Sequence, residues 1–176
     1  MKKLFLLASL LTGSLGLQAE DAGFQASLTP DLAVQSRTTR INGLALSIYG
    51  ENPQSALALG FVNGSTAHSE GLSWGLVNYA DDYTGVAWAF ANISQQRFYG
   101  WENGVINYSQ GSGTGLQTGV VNITQTFHGL QAGLVNYSEN LQGVQLGLVN
   151  LTRNNPWFNE LPDKLATGFP FVNWSF

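Results

Sequence analysis

The sequence predicts an all-β fold built from stacked coils, a parallel β-solenoid or β-roll, and three observations carry that expectation. The stretch "GLQAGLVNYSENLQGVQLGLVN", Gly129 to Asn150, states one eight-residue phrase twice. The phrase recurs along the chain, its Asn falling at Asn63, Asn78, Asn92, Asn107, Asn122, Asn136 and Asn150, in steps of 15, 14, 15, 15, 14 and 14. Between its glycines each copy holds four to six residues rich in Val, Ile, Leu, Phe, Trp and Tyr. That is the composition and length of a short strand.

The repeat defines the domain organisation. Glycine lies seven residues before the Asn in six copies, from Gly71 to Gly143, and three before it in all but one, where Ala89 stands instead. Two before the Asn comes an apolar residue in every copy, from Phe61 to Leu148. A degenerate earlier copy, "GLALSIYG", puts Gly50 in the place of the Asn, so the tandem repeat covers residues 43–152. Helix is disfavoured, since two glycines per copy cost about 2 kcal/mol relative to alanine. Polar stretches such as "ADDYT" and "SQGSGT" supply the turns.

Each end has its own reading. Lys2 and Lys3, the apolar run Leu4 to Leu17 and Ala19 before Glu20 form the pattern of a signal peptide, residues 1–19, cleaved on export. The apolar run falls short of the roughly 20 residues needed to span a bilayer. Residues 20–42 are expected to form an N-terminal cap or edge segment. Residues 153–176 break the repeat and are expected to form a C-terminal cap and terminal strand, with Phe158, Leu161 and Leu165 directed inward.

Composition excludes several function classes. Charged residues make up only 10% of the 176 residues, against roughly 25% in an average soluble domain. Without Lys2 and Lys3, five basic residues face eleven acidic ones, a net charge of −6. Such a chain is repelled by nucleic acid and by anionic headgroups. There is no cysteine, which removes disulfides, thiol catalysis and thiolate metal sites together.

Two architectures fit a repeat of this size. In a solenoid the strands are parallel and every Asn stacks on the next, about 4.8 Å along the axis. An asparagine amide both donates and accepts, so the seven Asn form a structural ladder. Gln117, of opposite parity, is expected to matter far less than Asn122. The alternative is a small up-and-down antiparallel outer-membrane β-barrel, in which a repeated Asn alternates between the two rims. The uniform spacing, with no odd and even copies, favours the solenoid. The tail "FPFVNWSF", which resembles the C-terminal strand of outer-membrane barrels, favours the barrel.

The units "GLQTGVVN" and "GLQAGLVNYSENLQGVQLGLVN", followed by a tail bearing Pro and Trp, resemble the small bacterial exported surface-repeat proteins first noticed in spirochaetes. The resemblance covers about two thirds of the chain. It implies export and an outer-membrane, cell-surface or periplasmic location in a Gram-negative type of envelope, and it supplies no catalytic residue and no cofactor.

The residues themselves point the same way on chemistry. His68 and His128 sit in turns without a partner at zinc-site spacing, and Asp81-Asp82 lacks the spacing of a calcium loop. "GLSWG" mimics a nucleophile elbow around Ser73, yet its glycines are the repeat's own Gly71 and Gly75, and no strand-to-helix turn is on offer. The Asn-x-Ser/Thr sequons are a by-product of the repeat, and their hydroxyls lie on the same side as the Asn and extend the polar ladder. The expected function is therefore a non-enzymatic exported envelope protein with a structural or binding role and no cofactor or metal. Its partner is an unidentified envelope or surface component, with outer-membrane association possible. The alternatives are an integral outer-membrane barrel and, remotely, a secreted hydrolase.

Overall fold

A computed structural model describes residues 21–176; the signal-peptide expectation for residues 1–19 lies outside the described residues. The chain forms eight strands: β1 (Asp21–Thr29), β2 (Leu32–Ala33), β3 (Arg40–Asn52), β4 (Ser55–Trp74), β5 (Val77–Trp88), β6 (Ala91–Ala132), β7 (Val135–Thr152) and β8 (Gly168–Ser175). They hydrogen-bond in the order β2-β1-β3-β4-β5-β6-β7-β8. From β1 and β3 to β7 each strand pairs parallel with the next, and pairing is antiparallel only at the two ends. Parallel pairing of consecutive copies is the signature of a solenoid and overturns the barrel, whose neighbouring strands must alternate in direction.

The register follows the repeat residue by residue. Asn63 pairs with Asn78, Asn78 with Asn92, and Asn122 with Asn136. Gly50 pairs with Asn63, so the degenerate copy is a genuine coil lacking the amide. Bulges in the pairing fall between Ser65 and His68 and between Ala80 and Asp82. The extra residue of a 15-residue coil is thus absorbed just after the hydroxyl that follows the Asn, leaving the rest of the coil in step.

Each coil has three sides. Buried positions lie five residues before the Asn (Gln117), at the Asn (Asn122), two after it (Thr124) and five after it (Phe127). The intervals of five, two and three show that inward parity breaks twice, and parity can break only where the strand turns. The first bend is at the glycine three before the Asn, where Gly75, Ala89 and Gly133 separate named strands. There the coil-to-coil hydrogen bonds continue, as from the Gly133 amide to the Leu146 carbonyl at 2.9 Å. A second bend follows the hydroxyl residue. The third is the glycine seven before the Asn, whose φ runs from +119° at Gly115 to +144° at Gly143, a region that side chains with a Cβ rarely adopt.

What fills the coils is mostly polar. Among the described residues, 27 polar or charged residues are buried against 12 hydrophobic ones. The apolar portion is a small cluster in the first coils, Ile41 with Ala45, Ala56 and Ala58, and a corner further along, where Tyr83 stacks on Phe98 at 6.1 Å beside Ala80 and Ala87 and Phe127 and Leu141 continue the column. Gly113 leaves the room that Phe127 occupies, for a Cβ there would come within 2.9 Å of its ring.

The ends are closed differently. Asp21–Thr29 is itself a parallel strand that prolongs the stack, flanked by the two-residue β2. At the other end β8 runs antiparallel over β7 from Gly143 to Leu151. The expectation for the C-terminal cap needs correction: Leu165 is buried, but Phe158 and Leu161 are about half exposed. No helix forms in this segment to align the three: Leu165 lies beside β8 with its amide bonded to the Trp174 carbonyl, while Phe158 meets the ring of Phe169 in β8 edge-on at 6.0 Å and keeps its other side in solvent.

Because the strands of each coil pair only with those of its neighbours, deletion of one whole unit, Gly129 to Gln142, is expected to leave a shorter folded protein. Gln117 then meets Gln145 and Asn122 meets Asn150. Circular dichroism should stay β-rich and melting cooperative; aggregation of the deletion variant alone would contradict nearest-neighbour stability.

Candidate interaction surface

The asparagines form a continuous ladder inside the stack. Each Nδ2 donates to the Oδ1 of the Asn in the next coil, from Asn63 to Asn78 at 3.0 Å through to Asn136 and Asn150 at 2.8 Å. In Asn63, Asn78, Asn92, Asn107 and Asn136 the second Nδ2 hydrogen takes a backbone carbonyl at the bend of the next coil, as from Asn107 to Thr118 at 2.9 Å and from Asn136 to Leu146 at 2.9 Å. An amide with two donors and an acceptor matches this demand, whereas a hydroxyl or an aliphatic chain does not. The ladder ends where the repeat ends: Gly50 offers no donor, and Asn63 Oδ1 has no hydrogen-bond partner among the described residues. At the far end Asn150 Nδ2 donates to the carbonyls of Gly147 and Phe169.

A second ladder, which the sequence reading missed, runs five residues before the Asn. Gln145 Nε2 donates to Gln131 Oε1 at 2.8 Å, Gln131 to Gln117 at 2.7 Å, and Gln117 to Glu102 Oε2 at 2.6 Å. Gln117 is fully buried, which overturns its expected minor role. The two ladders point their N–H groups in opposite directions along the axis. The hydroxyls two after the Asn bridge inward to the glutamine column, Thr124 to Gln117 at 2.9 Å and Ser94 to Glu102 at 2.9 Å.

Glu102 has a reason to be an acid. Its neighbour in the preceding coil is Ala87, which can accept nothing. A glutamine at 102 would bring two N–H donors to a place whose coil neighbour accepts nothing; an ionised carboxylate ends the donor chain with acceptors only, and the protonated carboxyl adds a single O–H. Burial raises its pKa to about 7, against the lowering effect of donors from Gln117, Ser94 and Ser109. The folded pKa exceeds the unfolded 4.5, so the folded state holds the proton longer. Its contribution is complete below pH 4.5, falls as pH rises to 7, and is flat above, a loss of about 3 kcal/mol in total. Denaturant midpoints at pH 4.5, 6 and 8 should therefore descend for the native chain and stay level for Glu102→Gln. Asp82 acts outside that window. Partial burial raises its pKa, but hydrogen bonds and charge from Arg97 and His68 outweigh this and hold it below 3.8. Its stabilisation is present above that value and lost only in stronger acid.

With the polar groups turned inward, the outside is apolar on two of three sides. The bend two before the Asn is an edge of exposed residues, among them Phe61 (64%), Leu76 (54%), Leu134 (52%) and Leu148 (58%). On one side of this edge lie Trp74, Trp88 and Leu146, and beyond them Leu72 and Trp101. The polar atoms on that side serve one another: Trp101 Nε1 donates to Thr118 Oγ1 at 2.8 Å, which donates to Asn103 Oδ1 at 2.7 Å. On the other side come Ile106, Val121 and Val149, then Tyr79, Tyr108 and Tyr137 one residue after the Asn.

Apart from Glu51, at the tyrosine level of the first repeat coil, outward charge in the repeat lies on the remaining side. Residues 43–152 hold seven charged side chains. Glu102 is inside, and Glu51 sits in the first repeat coil, accepting from the Tyr79 hydroxyl at 2.7 Å. Glu70, Asp81, Asp82, Arg97 and Glu139 all follow the second bend. There Arg97 holds Asp82 through two bonds, at 2.6 and 3.2 Å, and His68 Nδ1 lies 3.3 Å from the same carboxylate. An ion cluster at this level of exposure contributes little stability; it gives this side its polar character.

The residues weighed as chemical sites are accounted for locally. Ser73 is buried in a strand and donates to Asn78 Oδ1 at 2.8 Å. Asp81 accepts from the Ala67 amide. His128 is exposed on the polar side. Among the described residues no group of three or more His, Cys, Asp or Glu could hold a metal ion. Compared with known proteins, the chain matches no family model, no curated protein and no solved structure.

Proposed function

We propose that this chain is an exported, non-enzymatic protein of the bacterial envelope that works through its surface, in a structural or binding role. The observation that carries this reading is the inversion of polarity: the amides and hydroxyls that chemistry would need are spent on the two ladders, while two outer sides display contiguous apolar columns. Isolated exposed hydrophobes are ordinary, but contiguous patches mark interaction sites. The signal-peptide pattern in residues 1–19 and the resemblance to exported surface-repeat proteins support the location. No catalytic residue, metal or cofactor belongs to the proposal.

Cell fractionation with mass spectrometry tests it. The protein should be found in the envelope fraction with a mature start at or near Glu20. Soluble cytoplasmic material retaining Met1 would defeat it.

A further inference from the structure

We propose that the two apolar sides seat this protein on a lipid bilayer, the coil axis parallel to the membrane plane and the edge from Phe61 to Leu148 deepest. The lipid it fits is zwitterionic or uncharged, since the mature chain carries a net charge of −6 and anionic headgroups repel it. This rests on the envelope reading and names the partner of that same surface.

The case for lipid over protein is a gradient in side-chain type around the coil. At the edge every copy presents an aliphatic residue or Phe. The next outward position toward the second side is Val, Ala or Ile. Two residues further stand Tyr79, Tyr108 and Tyr137, alternating with aliphatics, and two further again come Asp81, Gln95, Gln110, Gln125 and Glu139. Aliphatic, then tyrosine, then amide and carboxylate is the order met on passing from hydrocarbon through the interface to water. A protein partner has no reason to be graded this way. The tyrosine level recurs in every second coil, at Tyr79, Tyr108 and Tyr137, so the gradient runs along the stack rather than forming one patch.

Geometry adds a second argument. The apolar sides share an edge and face different directions, so a second copy laid flat covers one and leaves the other wet. A fluid phase covers both and the edge together. The interior then makes sense as well. Against hydrocarbon, a stack gains nothing by sending its aliphatic residues inward, and ladders that satisfy their amides internally, the terminal Asn63 Oδ1 excepted, suit a site where water is excluded.

The chain has no cysteine, so single cysteines carrying an environment-sensitive fluorophore can be placed without background. Labels at Val120→Cys, Ile123→Cys, Gln125→Cys and His128→Cys sample the edge, the tyrosine level, the rim and the polar side. With phosphatidylcholine vesicles containing lipid-borne quenchers, quenching of the mature chain should rank Val120, then Ile123, then Gln125, with none at His128. Flotation with these vesicles should be insensitive to salt, about tenfold or more weaker for Leu134→Asp, and unchanged for Asn140→Asp. Equal quenching at all four sites, or no flotation, overturns the proposal. So does a Val120 label shielded in vesicle-free buffer in a chain that sediments as an oligomer, which would assign the sides to other copies. If Leu134→Asp does not fold, the label series still decides. Fractionation reads export separately, so either reading can fail without the other.

Discussion

Replacing Asn122 with leucine is expected to cost about 4 kcal/mol. The change leaves Asn107 Nδ2 without its acceptor at 2.8 Å and Asn136 Oδ1 without its donor at 2.8 Å. Both neighbours are fully buried, and each orphaned group costs roughly 1–3 kcal/mol. Water cannot reach them, and the coil cannot slide to find a substitute because its backbone is held in register on both sides. Gln117→Leu should cost a similar amount, since it strips Gln131, Thr124 and Glu102 of their bonds. Leucine at Gln110, an exposed site, is the reference and should change little. Denaturant midpoints with unchanged slopes give the comparison; a Gln117 variant as stable as the Gln110 one would mean that the second ladder contributes nothing.

Gly115→Ala is expected to be at least as damaging, by about 4 kcal/mol or through failure to fold. Gly115 has φ +119°, and a Cβ there would lie 2.2 Å from the Gly100 carbonyl oxygen. Strained backbone alone costs of order 1–3 kcal/mol, and the obstructing atom is main chain, which cannot rotate away. The same contact recurs at Gly85, Gly100, Gly129 and Gly143, each against the glycine one coil earlier. Relief at one level therefore presses on the next. Gly23→Ala, where a Cβ meets nothing within 4 Å, is the neutral comparison. Equal melting temperatures for the two variants would show that these glycines are not required where coils touch.

Much of this architecture was legible because a tandem repeat converts sequence spacing directly into stacking. The steps of 14 and 15 between asparagines predict parallel coils, and the Asn-to-Asn register follows. The glutamine ladder was hidden by a parity argument. Gln117 lies five before Asn122, an odd separation that in a continuous strand puts the two on opposite faces. The bend at Gly119 exchanges the faces, so both point inward. The signal was nevertheless present, since Gln117, Gln131 and Gln145 recur every 14 residues and Glu102 stands at the same place one coil earlier. The same bend explains why the outer surface was hard to read: apolar residues at both parities looked like an unclean pattern, whereas they belong to two sides that are both apolar. In the C-terminal segment no repeat constrains the chain, and helical spacing was an unsafe guide to Phe158 and Leu161.

Stacked parallel strands with amide ladders are also the grammar of amyloid, where a fibril grows because its last layer is a template for one more identical layer. The antiparallel β8 denies that template. A coil arriving at this end would meet a strand of reversed direction, with the Asn150 amide already bound to Phe169. The far rim of β8 is occupied in turn, through the Leu165 amide on the Trp174 carbonyl and the Phe176 amide on the Asp163 carbonyl. Eight residues thus separate a finite protein from a seed: with β8 gone, β7 would expose an unpaired, in-register edge rich in Leu, Val, Asn and Gln, the kind of surface on which polymerisation starts.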